Sequence, residues 1–366
     1  MSAARASRLD RVRAEMARQG VDALLLSLGA DLPWLTGYEA MPLERLTMLV
    51  LPVDAPATLV IPELEAPRCE EDPDAFGLLP WRELEDPVGI VTRLVGGRRR
   101  LAISDRAWAM WVIELQGRLP GAAWSRASSV TGALRAVKDD DEVAALVRAS
   151  EAADRVAAQL HAGEIPLIGR SEAEVSADIG RRLLDEGHQR VNFAIVGSGP
   201  NSASPHHDAG PRRIGPGEVV VCDFGGTMGG YCSDITRTVC TGTPPSQMRD
   251  LYSVLQEAQA AGVAAARVGT TCADVDAATR RIITDAGYGA RFIHRTGHGI
   301  GLEEHEDPYI MAGNDLPLAP GHAFSVEPGI YLLGVFGARL EDIVVASGAG
   351  PRALNSVDHD LVTVEA

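Results

Sequence analysis

Lysine is all but missing from this chain of 366 residues. Of its 34 basic residues only Lys138 is a lysine, and 50 Asp and Glu bring the formal net charge to −16. A Schiff-base enzyme would have to use Lys138 as its nucleophile. Ala133-Leu134-Arg135-Ala136-Val137-Lys138-Asp139 is not the G-x-x-x-x-G-K-[ST] phosphate loop either. The acidic surplus excludes a broad grip on nucleic acid, which comes from clustered basic side chains. Cysteine is sparse: Cys69, Cys222, Cys232, Cys240 and Cys272 are odd in number and contain no C-x-x-C pair. That excludes a disulfide framework and a cysteine zinc site. No run approaches the ~18 consecutive apolar residues of a membrane span. The first apolar run, at residues 21–26, is short and interrupted by Asp22, so no secretory leader is expected and the protein reads as cytoplasmic.

What is present suffices for two domains. The chain is 46% hydrophobic, and its length fits two domains at roughly 150 residues each. Residues 1–130 read as an α/β domain. Leu9, Val12 and Met16 mark a helix ended by Gly20, and strands are expected at 21–26, 49–53, 58–61 and 101–104. No catalytic cluster lies in that region. A break falls near residues 128–141, and residues 135–366 form the second domain. There Asp139 and Glu142 have capping-box spacing, as do Ser171 and Glu174. Further helices start at Ser246 and Thr271, and Gly187 and Gly287 end two of the set.

The second region repeats itself. Pro216-Gly217-Glu218-Val219-Val220-Val221-Cys222-Asp223 aligns with Pro320-Gly321-His322-Ala323-Phe324-Ser325-Val326-Glu327, a carboxylate lying seven residues after each proline. The helix ends at Gly187 and Gly287 match as well, which predicts a pseudo-symmetric α+β domain with its site between the halves. Asp223 and Asp234 flank a glycine-rich stretch. A turn centred between Met228 and Gly229 makes them direct cross-strand partners, Cβ atoms ~4.5–5.5 Å apart. Glu327 and Glu341 have Gly334 as midpoint and repeat the arrangement, with a bulge at Gly337 as the alternative register. Buried like charges need a compensating cation. Four carboxylates on two hairpins therefore point to a dinuclear centre of hard, Mn²⁺-like ions with bridging carboxylates.

Six of the nine histidines lie between 206 and 322. His298, in Gly297-His298-Gly299-Ile300-Gly301, is the candidate nitrogen ligand. The H-x-x-x-H spacing from His294 is not the zincin H-E-x-x-H, because Arg295 stands where the glutamate belongs. His206, His294 and His305 are candidates for substrate contact or proton transfer. His161, His188, His322 and His359 read as structural.

These residues resemble the five-ligand signature of the pita-bread metallopeptidases, peptidase family M24, in its prolidase and aminopeptidase P group. Asp223, Asp234, His298, Glu327 and Glu341 occur in order within Cys222-Asp223-Phe224-Gly225, Ser233-Asp234-Ile235-Thr236-Arg237-Thr238, Gly297-His298-Gly299, Val326-Glu327-Pro328-Gly329 and Arg339-Leu340-Glu341-Asp342. Trp34-Leu35-Thr36-Gly37-Tyr38 resembles a stretch of that group's creatinase-type N-terminal domain. The resemblance implies two divalent metal ions, Mn²⁺ first, with Co²⁺ and Zn²⁺ as alternatives. Asp223 would chelate one ion, His298 and Glu327 mainly the other, and Asp234 and Glu341 would bridge. His206, His294 and His305 match active-site histidines, and Arg339 matches the arginine that braces the bridging glutamate. Glu327 would be the general base in cleavage of Xaa–Pro bonds in short proline-containing peptides, and the resemblance implies a homodimer. Tyr309 stands where some prolidases carry an arginine for the free carboxylate of a dipeptide. That departure leaves aminopeptidase P activity on longer peptides open, with Arg295 or an N-domain residue as the substitute. A metal-free creatinase-like hydrolase and a non-catalytic peptide-binding module are the other readings.

Overall fold

The computed structural model describes residues 2–364. The chain divides into two compact units, Met1–Arg135 and Ala136–Ala366.

The first unit opens with α1 (Ser2–Gln19), whose Leu9, Val12 and Met16 are buried and after which Gly20 takes φ +71°. There follow β1 (Ala23–Leu26), α2 (Asp31–Thr36), β2 (Met48–Pro52), β3 (Ala57–Pro62), β4 (Phe76–Trp81), α3 (Pro87–Val95), β5 (Arg100–Ile103), α4 (Ala109–Arg118), β6 (Ala123–Arg126) and α5 (Ser128–Ala136). The strands form one mixed sheet in the order β4-β3-β2-β1-β5-β6. Leu25, Val50, Val60 and Leu101 pack on Val91 and Leu115. The edge strands β4 and β6 give no sequence signal, because β4 contains Gly77 and Pro80 and β6 has no β-branched residue. α5 crosses the expected linker: Val130 and Thr131 are buried and Arg135 pairs with Asp31 at 3.0 Å. The first unit therefore runs to Arg135.

The second unit contains α6 (Asp140–His161), α7 (Glu172–Asp185), β7 (Arg190–Ser198), β8 (Val219–Met228), β9 (Tyr231–Cys232), β10 (Ile235–Cys240), α8 (Ser246–Ala265) and α9 (Cys272–Asp285). Its remaining strands are β11 (Gly297–Gly299), β12 (Glu306–Ile310), β13 (Ala323–Val326), β14 (Gly329–Leu332), β15 (Phe336–Arg339), β16 (Asp342–Val345), β17 (Arg352–Ala353) and β18 (Val362–Thr363). Both capping boxes form, at Asp139 with Glu142 and at Ser171 with Glu174. One sheet runs β18-β10-β8-β7 with β9 on β8, a second runs β12-β11-β13-β16-β17, and β14 pairs with β15.

The internal repeat is visible bond by bond. Ser171 bridges Arg213 and Thr271 bridges Pro317. Gly169 N donates to Ile214 O, and Gly269 N to Leu318 O, both at 2.8 Å. Gly217 and Gly321, which follow the two matched prolines, take φ +78° and +91°. In one half Val156, Ile179 and Leu183 pack on Val220, Cys222 and Phe224. In the other, Ala266 and Val275 pack on Phe324, Val326 and Val344. This is the pseudo-symmetric α+β architecture expected of a pita-bread domain. No described helix is long and apolar enough to cross a membrane.

Candidate active site

The first hairpin does not turn where its midpoint suggests. Gly229 and Gly230 form the turn, at φ +58° and +87°, and Met228 pairs with Tyr231. Two central residues at positive φ match the twist of a hairpin, and a glycine pair supplies them without strain. The register shifts by two, so Asp223 faces Thr236 rather than Asp234. A shift of two keeps each strand's faces, and Asp234 becomes a diagonal neighbour of Asp223. Asp234 follows a well-anchored serine. Ser233 Oγ receives Gly226 N at 3.1 Å and contacts His188 Nε2 at 2.9 Å, while His188 Nδ1 bonds Leu183 O.

The second hairpin keeps the register that Gly334 implies. Gly329 pairs with Arg339 and Leu332 with Phe336, so no bulge forms at Gly337. The same register continues on the far side, where Val326 pairs with Asp342. Glu327 and Glu341 stand opposite each other in the gap between the two ladders. Their backbone N–H groups turn elsewhere, Glu327 N to Thr296 O at 2.8 Å and Glu341 N to Thr236 O at 3.3 Å. The carboxylates are thus pinned to the strand carrying His298 and to the strand of the other half. His298 sits in β11, wedged between β12 and β13. A Cβ at Gly297 would lie 1.8 Å from Ser325 O, and one at Gly299 would lie 2.2 Å from Asp307 O. Only glycine permits that approach on both sides.

His298 Nδ1 donates to Gly299 O at 3.1 Å, which leaves Nε2 as the lone-pair nitrogen. Nε2 lies 3.3 Å from Glu327 Oε1 and 3.7 Å from Asp234 Oδ2. Burial, then His305, pulls the imidazole down to about 3, so it is neutral at neutral pH. Ligand atoms of Asp234, His298 and Glu341 lie within 4.8 Å of one another. Burial and then neighbouring carboxylates push Asp234 and Glu341 well above the usual range, and burial lifts Glu327 to about 7 against the pull of Arg339. Asp223 Oδ1 and Glu341 Oε1 are buried without a hydrogen-bond partner. Four crowded carboxylates with two orphaned oxygens, beside one neutral imidazole, fit divalent cations.

Arg339 braces a different acid from the one expected. Its Nη2 pairs with Asp223, and Nε donates to Thr236 Oγ1 at 3.0 Å. It reaches Glu341 only through that threonine. Arg339 pairs with Gly329 in the ladder, two residues from Glu341, and its guanidinium meets Thr236 and Asp223 of the first half. Thr236, Ser325 and Tyr331 are site residues that pattern reasoning did not find. Ser325 Oγ bonds Glu327 Oε1 at 3.1 Å and receives His298 N at 3.0 Å.

A cavity of about 700 Å³ opens over the carboxylates. His206 and His305 line it, and the His305 ring lies 3.8 Å from that of His298. His294 also lines it but departs from the substrate-contacting role. Nδ1 bonds Arg295 O at 2.7 Å and Nε2 bonds the Tyr331 hydroxyl at 2.9 Å, so both nitrogens are engaged within the protein. Burial pulls it down to about 4, which keeps it neutral. His207 points away, bonding the buried carboxylate of Glu172 at 2.8 Å.

Residues 144–347 match the family described as Metallopeptidase family M24, and residues 8–137 match the Creatinase/Prolidase N-terminal domain. The chain is 44% identical over 364 residues to the probable dipeptidase PepE of Mycobacterium tuberculosis, covering 98% of this chain and 96% of the relative. It is 35% identical to the Xaa-Pro dipeptidase of Lactobacillus helveticus, covering 96% of this chain and 98% of the relative. The crystal structure of dipeptidase PepE from Mycobacterium ulcerans superposes with a TM-score of 0.93 at 43% identity, covering 100% of this chain and 99% of that one.

Proposed function

This chain belongs to metallopeptidase family M24, and from that premise we propose that it is a metal-dependent Xaa-Pro dipeptidase. The observation that carries the reading is the pocket floor, where Asp223, Asp234, Glu327 and Glu341 crowd beside neutral His298 with two carboxylate oxygens unpartnered. The names of the relatives support the dipeptide and proline preferences.

Those five residues would hold two divalent ions. An oxygen-rich set favours Mn²⁺, with Co²⁺ and Zn²⁺ as alternatives. When bound, such ions supply Lewis acidity that lowers the pKa of water and polarises the scissile carbonyl. The chain's own groups do the rest. Glu327, with Ser325 Oγ on its Oε1, takes the proton of the attacking water and passes it to the leaving proline nitrogen. His206 and His305, on the cavity wall, offer ring N–H groups to the carbonyl oxygen as it gains charge. His294 acts by holding Arg295 and Tyr331 in place. A proline amide has no N–H, so recognition rests on the ring and the chain ends instead.

The reading includes a homodimer in the cytoplasm. On α4, Met110 and Ile113 are exposed next to exposed Trp108, apolar surface of the kind a second copy covers. All five cysteines are free, as suits a reducing compartment. Sizing in solution should return twice 38.8 kDa, and a monomer would remove the dimer from the proposal.

The test is a paired assay of Mn²⁺-loaded protein on Ala-Pro and Ala-Pro-Ala. Cleavage of Ala-Pro is expected. Cleavage of the tripeptide alone would assign aminopeptidase P activity, and absence of bound metal with neither peptide cleaved would end the hydrolase reading.

A further inference from the structure

We propose that His188 is a positioning residue of the metal centre: through Ser233 it holds Asp234 out of its strand and turned onto the carboxylate floor. This role rests on the metallopeptidase reading of that floor and adds to it a residue that does not line the cavity.

The first hairpin is interrupted at one place. β9 ends at Cys232 and β10 begins at Ile235. The register is the same on either side, Thr227 with Cys232 and Phe224 with Ile235, so no extra residue causes the break. Its cause is chemical. Residues that face each other as a bonded antiparallel pair exchange two N–H···O bonds. Ser233 N donates to Gly226 O at 2.8 Å, but Gly226 N donates to the Ser233 hydroxyl, at 3.1 Å, in place of the carbonyl. The displaced carbonyl lies against Gly225, where a Cβ would come within 2.1 Å of it. With that peptide turned, Asp234 leaves the ladder. Its Oδ2 comes to 3.7 Å from His298 Nε2, and its ligand atom joins those of His298 and Glu341 within 4.8 Å of one another.

The hydroxyl can stand in for the carbonyl because His188 receives its hydrogen. His188 follows the end of α7, and its Nδ1 lies 3.1 Å from Leu183 O. A carbonyl only accepts, so Nδ1 carries the ring proton. Burial moves the ring below its ordinary value, which keeps it neutral at neutral pH. Nε2 is then bare, and the Ser233 hydroxyl, 2.9 Å away, donates to it. The hydroxyl's one hydrogen is thereby used, and a lone pair is left facing Gly226 N. Without the imidazole the remaining acceptor is Gly226 O at 3.3 Å, which Ser233 N already occupies. Gly226 makes room for the ring, since a Cβ there would lie 2.7 Å from His188 Cδ2.

The other half of the domain shows that the fold does not require this pair. After α9, Tyr288 N bonds Ile283 O at 2.9 Å, as His188 N bonds Leu183 O at 3.1 Å after α7. Tyr288 is thus the counterpart of His188, and Leu340, which precedes Glu341, is the counterpart of Ser233. Tyr288 packs on the apolar cluster that holds Leu340. Where the second half packs hydrocarbon, the first half buries a hydroxyl and an imidazole, groups that are costly unless bonded. What the costlier pair adds is direction for Asp234.

Calorimetric titration of metal-free protein with Mn²⁺ tests the role on wild type, H188F, H188Q, S233A and the double variant H188F/S233A, with denaturant unfolding of the same proteins alongside. H188F and S233A should each bind Mn²⁺ about 10- to 100-fold more weakly than wild type. The double variant should lose no more than the weaker-binding single variant, because both act through one hydrogen bond. H188Q, whose amide offers a donor to Leu183 O and an acceptor to Ser233, should recover most of the affinity. In Co²⁺-loaded protein the visible absorption bands should shift in H188F and return to their wild-type positions in H188Q. A merely structural His188 would lower unfolding stability in H188F and leave the Mn²⁺ affinity of the folded protein at the wild-type value, and that result would overturn the positioning role. Equal losses in H188F and H188Q, or losses that add in the double variant, would overturn it as well. If H188F did not fold, S233A would carry the test, and wild-type affinity there would overturn the role. Wild type that bound no Mn²⁺ would bring down the metal reading of the floor itself, and the positioning role with it.

Discussion

The hydroxyl of Thr236 donates a 2.6 Å hydrogen bond to Glu341 Oε2. Thr236 Oγ1 in turn accepts from Arg339 Nε at 3.0 Å, so one hydroxyl orients both a candidate ligand and the arginine behind it. Fixing Oε2 leaves Oε1 as the free, buried oxygen of Glu341. Thr236→Val keeps the shape and removes the hydroxyl. We expect about a 10- to 100-fold loss of Mn²⁺ affinity and about 1–3 kcal/mol of stability. Calorimetric titration and denaturant unfolding measure the two. An affinity equal to wild type would show that the hydroxyl does not orient the ligand.

Removal of metal should make stability fall as pH rises. In the metal-free fold, burial raises Glu327 to about 7, and burial with like charge holds Asp234 and Glu341 well above the usual range. A raised carboxylate pKa means the folded state binds more protons than the unfolded chain. Its stability contribution is complete below the ordinary carboxylate range and is lost as pH rises through the raised value. The buried histidines work in the opposite sense, because His294 and His298 are lowered to about 4 and 3, but only below their ordinary value of 6.5. The clean window therefore lies above 6.5. Between pH 6.5 and 8 the stability of chelator-treated protein should drop by about 1.4 kcal/mol per pH unit for each proton lost, read as a falling Tm. The Mn²⁺-loaded protein should hold steady. Parallel Tm profiles for the two forms would contradict this.

The only lysine is buried, Lys138 Nζ meeting Glu306 Oε1 at 2.7 Å. Its backbone N also bonds Gly321 O, ahead of β13, and Glu306 pairs in register with Gly299 beside His298. One residue thus ties the segment leading into β13, which approaches Glu327, to β12, the neighbour of the strand carrying His298. Lys138→Met leaves Glu306 without its ammonium partner and should cost about 3–5 kcal/mol. The double variant Lys138→Met with Glu306→Leu should recover much of that, since exchanging both charges for apolar groups is close to neutral. A single variant within about 0.5 kcal/mol of wild type in denaturant unfolding would refute the role.

Local signals were legible in the sequence, and long-range pairings were not. The capping boxes at Asp139 and Ser171 need residues three apart, and both form. The Glu327–Glu341 register followed from one glycine, Gly334, which takes φ +78°. The first hairpin slipped by two because its glycines offered several turns, and Gly229 with Gly230 supplies the one that suits the strand twist. The partners of Arg339 and Thr236 lie about a hundred positions away in the chain, beyond any periodicity. His294 shows the same limit, since spacing placed it at the pocket but could not reveal that Arg295 and Tyr331 occupy both its nitrogens.

Asp234 and His207 should separate ligand from scaffold. Asp234→Ala removes one of three groups gathered within 4.8 Å, so metal retention and activity should both be lost. His207 does a different job. Its Nε2 bonds Glu172, which also holds Ser198 and Asn201 at the start of the loop that carries His206. His207→Ala takes one donor from a fully buried carboxylate, a loss of about 1–3 kcal/mol. It should keep its metal and raise KM more than it lowers kcat, because the loop bearing His206 loosens while the carboxylate floor stays intact. Metal content by atomic absorption, together with KM and kcat on Ala-Pro, reads both variants. Metal loss in His207→Ala would mean that the loop supports the floor as well. Retained metal in Asp234→Ala would remove that aspartate from the ligand set.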